Sequence, residues 1–116
     1  DFAATKTLAL SHGTWRGIEV GGYEIHHGVC RSLEDAEAFL DGVHVGPVWG
    51  TMWHGAFEHD EFRRTWLADA ARHAGSSWRP HSDELGYQAR REAMIETLAD
   101  ALEAHVDVDR ILHLVR

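Results

Sequence analysis

A chain of 116 residues holds one small domain, or a piece of a larger one. Its 44% hydrophobic and 26% charged content is that of an ordinary globular protein, and a net charge of -8 with no basic run argues against nucleic acid as a main partner. No apolar stretch is long enough to cross a membrane, no signal-peptide pattern opens the chain, and the single cysteine excludes an internal disulfide and fits a reducing, cytoplasmic setting.

The opening Asp1-Phe2-Ala3-Ala4 has neither an initiator Met nor a capping pattern, and is expected to be the edge of a fragment. Thr5 to Leu10 predicts a short strand and Ser11-His12-Gly13 a turn. Ile18 to His27 predicts a second strand, with a bulge at the Gly21-Gly22 pair. By alternation Tyr23, Ile25 and His27 share one face of it, and Glu24 and His26 the other. Arg31 to Gly42 is polar and acidic around a small apolar cluster (Ala36, Phe39, Leu40) and is expected to be a loop with one helical turn at most. Val43-His44-Val45 and Val48 to Trp53 predict strand, broken at Gly46-Pro47.

From residue 60 the period turns helical. Asp60 is the expected N-cap, Phe62, Trp66, Leu67, Ala70, Ala71 and Ala74 form one stripe, and Gly75 is the stop. Ser82 is expected to cap a second helix, with Asp83 and Glu84 at its positive end and Leu85, Ala89, Ala93 or Met94, Leu98, Ala101, Leu102 and His105 in helical register. Asp107 is expected to cap a last short helix bearing Val108, Ile111, Leu112 and Val115. Strands first and two to three helices last give an α/β class, with five tryptophans expected to enlarge a limited core.

The stretch Gly50-Thr51-Met52-Trp53-His54-Gly55-Ala56-Phe57 places a histidine between glycines at the end of an apolar run. Glycines allow a sharp bend and close approach of other groups, and an imidazole on such a bend can accept and return a proton near neutral pH. His54 therefore has two readings: a catalytic base, or a histidine held by backbone hydrogen bonds at a strand end. Cys30 follows Gly28-Val29 with no Gly-rich elbow after it, and reads as a small strand-end residue rather than a nucleophile. Glu24, on the face of His26, is a candidate to orient a histidine across the sheet, or a carboxylate in solvent. A metal site would draw on His26, His27, His44, His54 and His59. Adjacent His26 and His27 point to opposite faces, and neither H-x-x-x-H nor C-x-x-C spacing occurs, so no metal ligand is assigned.

Three strings in order carry a resemblance. Gly22-Tyr23-Glu24-Ile25-His26-His27-Gly28 resembles the G-Y-E-I-H-x-G segment of cobyric acid synthases. Gly50 to Phe57, followed by Phe62-Arg63, resembles their G-T-Y-x-H-G-x-F…F-R segment. Leu98-Ala99-Asp100 and His105-Val106-Asp107-Val108-Asp109 resemble their closing L-A-D…H-x-D-x-D pattern. The resemblance covers nearly the whole chain. It implies that residues 1–116 are the C-terminal portion of a class I (triad-type, flavodoxin-like) glutamine amidotransferase domain. The nucleophile half and an N-terminal synthetase domain would then lie outside the chain. It implies ammonia drawn from glutamine and used, with ATP and Mg at the absent synthetase domain, to amidate adenosylcobyrinic acid a,c-diamide in cobalamin biosynthesis. The expected partners are then glutamine, that synthetase domain and, through it, the corrinoid, with no cofactor in the fragment itself and no activity from it alone.

The family histidine of the Cys-His pair maps onto His54, and Glu24 and His26 are site-adjacent. Met52 stands where the family commonly has an aromatic, Cys30 where it commonly has a threonine, and Ala56 where other class I amidotransferases carry a glutamate. Two alternatives stand beside this reading: a non-catalytic His-rich metal-binding or interaction module, and a cell-wall amidotransferase subunit sharing the G-T-x-x-H-G string.

Overall fold

Two adjacent residues with positive φ, Arg16 (52°) and Gly17 (80°), turn the chain back on itself between two long strands. A two-residue turn of this hand matches the twist of the strands it joins. In the computed structural model, which describes residues 2–29, 31, 35–81 and 85–115, these strands are β1 (Phe2–Trp15) and β2 (Ile18–Gly28). They pair antiparallel in unbroken register from Trp15 opposite Ile18 to Thr7 opposite His26, and the register shifts only between Phe2 and Thr7.

Two expectations are corrected here. Ser11 to Gly13 is not a turn but the continuation of β1, and Gly21 and Gly22 sit in regular register opposite His12 and Ser11 rather than in a bulge. The glycines serve packing instead. A Cβ on Gly13 would lie 3.0 Å from the Trp53 ring, and one on Gly22 would lie 2.8 Å from the His54 carbonyl oxygen. Glycine marks close approach as readily as it marks a turn.

β3 (Glu37–Phe39), β4 (Gly42–Val45) and β5 (Val48–Gly50) form a second, three-stranded antiparallel sheet in that order. The expected loop over 31–42 thus contains a strand, and Phe39 on it is fully buried. The strand expected over 48–53 stops at Gly50. Beyond it the amides of Met52 and Trp53 bond to side chains, those of Asp41 and Thr51, instead of to a neighbouring strand.

A single 3₁₀ turn, Ala56–Glu58, leads into α1 (Asp60–His73). The N-cap is His59 rather than Asp60, which occupies the first turn with Glu61, where the helix dipole favours negative charge. Gly75 ends the helix at φ 68°. Its N–H donates to the Arg72 carbonyl (3.0 Å), and that of Ser76 to the Ala71 carbonyl (2.8 Å), which satisfies the last carbonyls.

Trp15, Val20, Phe39, Ala56 and Phe62 are buried together, with Ile18, Leu40, Trp49, Trp53 and Trp66 packed around them. Trp15 meets Phe39 and Phe62 edge-on at 5.7 and 5.5 Å between centroids, the arrangement ring quadrupoles favour. Trp78, expected in the core with the others, is half-exposed.

The chain divides into two compact units, Asp1–Ser82 and Asp83–Arg116. The second contains α2 (Tyr87–His105) and α3 (Val108–Leu114). The Asp107 carboxylate accepts the Arg110 N–H at 3.0 Å and so caps α3, while the expected Ser82 cap lies outside the described residues. The class is therefore α/β, strands first and three helices after, and among the described residues no helix is long and apolar enough to cross a membrane.

Candidate active site

His54 is not in either sheet, yet it is tied to β2. Its N–H donates to the Tyr23 carbonyl at 2.8 Å, and its carbonyl accepts the Tyr23 N–H at 3.0 Å, an isolated antiparallel bridge. Two residues that exchange both backbone bonds project their side chains to the same face. The rings follow: those of Tyr23 and His54 stack, 5.1 Å between centroids and 15° apart. The next residue, Gly55, has φ 77°, a conformation that glycine adopts without steric cost. Its backbone turns away beside the Tyr23 ring, whose Cε1 would lie 3.5 Å from a Cβ at that position. The His54 residue is exposed, and among the described residues no hydrogen bond reaches its ring.

A second tether holds the far end of the loop. The Gly21 N–H donates to His59 Nε2 at 3.1 Å. The loop carrying His54 is thus bound to β2 at Gly21 and at Tyr23, one turn before α1 begins.

Glu24 and His26 lie on the other face of β2. His26 Nε2 is 2.9 Å from Glu24 Oε2 and its Nδ1 is 2.7 Å from the Gly28 carbonyl. Both neighbours are acceptors, so the ring donates from both nitrogens when it carries two protons. The Ser11 hydroxyl of β1 donates to the second Glu24 oxygen. That hydroxyl, and then the imidazole, hold the Glu24 carboxyl below its ordinary value of 4.5. The carboxylate in turn raises His26 above its ordinary 6.5. The three candidate residues therefore form two groups: His54 with Tyr23 on one face, Glu24 with His26 and Ser11 on the other.

Residue reasoning missed Tyr23 as the neighbour of the His54 ring and Asp41 as the anchor of the run before it. The Asp41 carboxylate accepts from the Thr51 hydroxyl and from the Met52 N–H at 3.1 Å, and Thr51 Oγ1 accepts the Trp53 N–H at 3.1 Å. The position of Tyr23 one residue before Glu24 was the available signal, and for Asp41 its place in a tight turn.

The histidines named for a metal site are dispersed. His26 is engaged with Glu24, His44 with Glu37, the Gly46 carbonyl and the Trp49 ring, and His59 with Gly21. Among the described residues no group of three or more His, Cys, Asp or Glu is arranged to hold an ion. Cys30 lies outside the described residues.

No family model matches the chain, and no solved structure does. Curated relatives do. A cobyric acid synthase of Mycolicibacterium gilvum is 42% identical over 99% of the chain, one of Mycobacterium sp. strain KMS is 47% identical over 98%, and one of Streptomyces avermitilis is 42% identical over 98%. The chain spans 22% of the length of each. From end to end, this chain is homologous to the C-terminal part of the cobyric acid synthases.

Proposed function

We propose that this chain supplies the general base of a glutamine amidotransferase site, the ammonia-producing part of a cobyric acid synthase. The observation that carries the reading is His54 itself: a backbone held at both polar groups, an exposed residue, and no hydrogen bond to its ring from the described residues. A structural histidine at a strand end is held through its ring nitrogens, as His26 and His44 are. His54 is held everywhere except there, which leaves a nitrogen available for a proton.

In the proposed reaction a thiol from residues outside this chain gives its proton to His54. The sulfur attacks the side-chain amide carbon of glutamine, and an S–C bond forms. The imidazolium then returns the proton to the amide nitrogen, the C–N bond breaks, and ammonia leaves. His54 next takes a proton from water, whose oxygen attacks the thioester carbon. Glutamate departs as the S–C bond breaks, and the thiol is restored. The ammonia is consumed at an ATP- and Mg-dependent synthetase domain, where a carboxylate of adenosylcobyrinic acid a,c-diamide becomes an amide. The chain alone, with a base and no assigned nucleophile, is inert toward glutamine.

The test is glutamine hydrolysis by a full-length synthase bearing this stretch. His54→Ala is expected to abolish glutaminase activity, while amidation driven by added ammonium salt continues. Retention of wild-type glutamine hydrolysis by His54→Ala removes His54 from the mechanism.

A further inference from the structure

We propose that Tyr23 is the positioning residue of His54, its ring setting the imidazole orientation that a carboxylate sets in a triad. The proposal rests on the reading of His54 as the base. A catalytic imidazole has to keep one rotamer to present one nitrogen, and in a triad an acidic group bonded to the other nitrogen ensures this. Here the carboxylate nearest in sequence on β2, Glu24, is on the opposite face and committed to Ser11 and His26. Two residues beyond His54, Ala56 presents only a buried methyl group. What does touch the ring is Tyr23, nearly parallel at 5.1 Å.

Two features make that contact a fixed one. The paired backbone bonds place the two Cα atoms opposite each other, so the rings start from a set separation. Gly55, in the left-handed region, carries the chain past the edge of the Tyr23 ring, which therefore has His54 on its face and Gly55 beside it. Stacking constrains the χ angles of the imidazole but leaves both nitrogens open. A ring held this way can take up a proton at one nitrogen and release it again without breaking the contact that orients it.

The test pairs structure with kinetics. In the chain itself, the carbon-bound ring protons of His54, assigned by their loss in His54→Ala, are expected to resonate upfield through the Tyr23 ring current. That shift is expected to disappear in Tyr23→Leu and Tyr23→Val and to persist in Tyr23→Phe. In a full-length synthase, the Leu and Val variants are expected to lower glutaminase kcat about tenfold with KM changed less than about twofold, the signature of a misplaced base rather than of lost substrate binding. Phenylalanine is expected to rescue kcat. Unchanged kcat in Tyr23→Leu and Tyr23→Val, or a Phe variant as slow as Leu, overturns the proposal. His54→Ala separates the two claims. If it keeps full activity, the base assignment fails; if it is inactive while the Leu and Val variants are normal, only the role of Tyr23 fails.

Discussion

Glu24 Oε2 and His26 Nε2 stand 2.9 Å apart on the same face of β2, with the Ser11 hydroxyl on the other carboxylate oxygen. This pairing sets a pH window. Glu24, with its pKa lowered mainly by Ser11 and then by His26, contributes stability that is present above its ordinary 4.5 and is lost as pH falls through the lowered value. His26, raised mainly by Glu24, contributes stability that is complete below its ordinary 6.5 and is lost as pH rises through the raised value. The two overlap fully between 4.5 and 6.5. Melting temperatures of the wild type and Glu24→Gln are expected to differ most in that window. The gap should narrow on the alkaline side, where the neutral imidazole keeps one N–H for its two acceptors, Glu24 and the Gly28 carbonyl, and narrow again in strong acid. A proton NMR titration should find the His26 midpoint lower in the variant, and an unchanged midpoint would contradict the pairing.

Asp69 of α1 is 1% exposed and faces two arginines, Arg16 in the β1–β2 turn at 2.8 Å and Arg72 one helical turn on. The guanidinium-bearing side chains are 47% and 58% exposed. The cost of breaking the cluster therefore depends on which partner goes. Removing both arginines strands a charge in the interior, whereas removing the carboxylate returns two half-wet cations to water. Chemical denaturation is expected to show Arg16→Ala/Arg72→Ala less stable by about 3 kcal/mol. Asp69→Asn, which keeps the shape and loses the charge, should cost only about 1 kcal/mol. The reverse ranking would mean that the interaction is worth more than the desolvation of Asp69.

Two glycines of the small sheet give contrasting expectations. A Cβ on Gly42 would lie 2.0 Å from the Gly50 carbonyl oxygen, which belongs to the neighbouring strand and cannot retreat without parting β4 from β5. Gly46 has φ 56° and open space around it. Gly42→Ala is expected to cost about 3 kcal/mol, the upper end for overpacking. Gly46→Ala is expected to cost about 1 kcal/mol, the left-handed strain alone. Equal losses in the two variants by urea denaturation would refute the assignment of the first to a backbone collision.

What could be read from residues alone was whatever local chemistry decides. Gly75 as a helix stop and Asp107 as a cap follow from orphan backbone groups and a side chain of the right reach. The shared face of Glu24 and His26 follows from the two-residue period of a strand. The glycines of the hairpin were misread because Gly13 and Gly22 answer to Trp53 and to the His54 carbonyl, which come from some 30 to 40 residues further along the chain. Phe39 looked like part of a polar loop because its strand is three residues long, too short to show alternation. His54 drew notice through its flanking glycines, but its neighbour Tyr23 depends on an isolated bridge that no sequence period announces.

The run from Thr51 to Trp53 carries His54 yet belongs to no sheet, so its course depends on side-chain bonds. Asp41 is the hub: it accepts from the Thr51 hydroxyl and the Met52 N–H, and Thr51 in turn accepts from the Trp53 N–H. Asp41→Ala removes the acceptor of both direct bonds and leaves His54 itself unaltered. The Tyr23 bridge still anchors His54 itself, so the displacement of the ring is expected to be a fraction of an ångström, and the glutaminase kcat of a full-length synthase should fall by about tenfold. Asp41→Asn keeps one carbonyl oxygen for these donors and should recover most of the loss. Thr51→Val should reproduce part of the Asp41→Ala effect, since it breaks the Trp53 link and leaves Asp41 bound to Met52. Wild-type kcat in Asp41→Ala would show that the Tyr23 bridge alone suffices to place the imidazole.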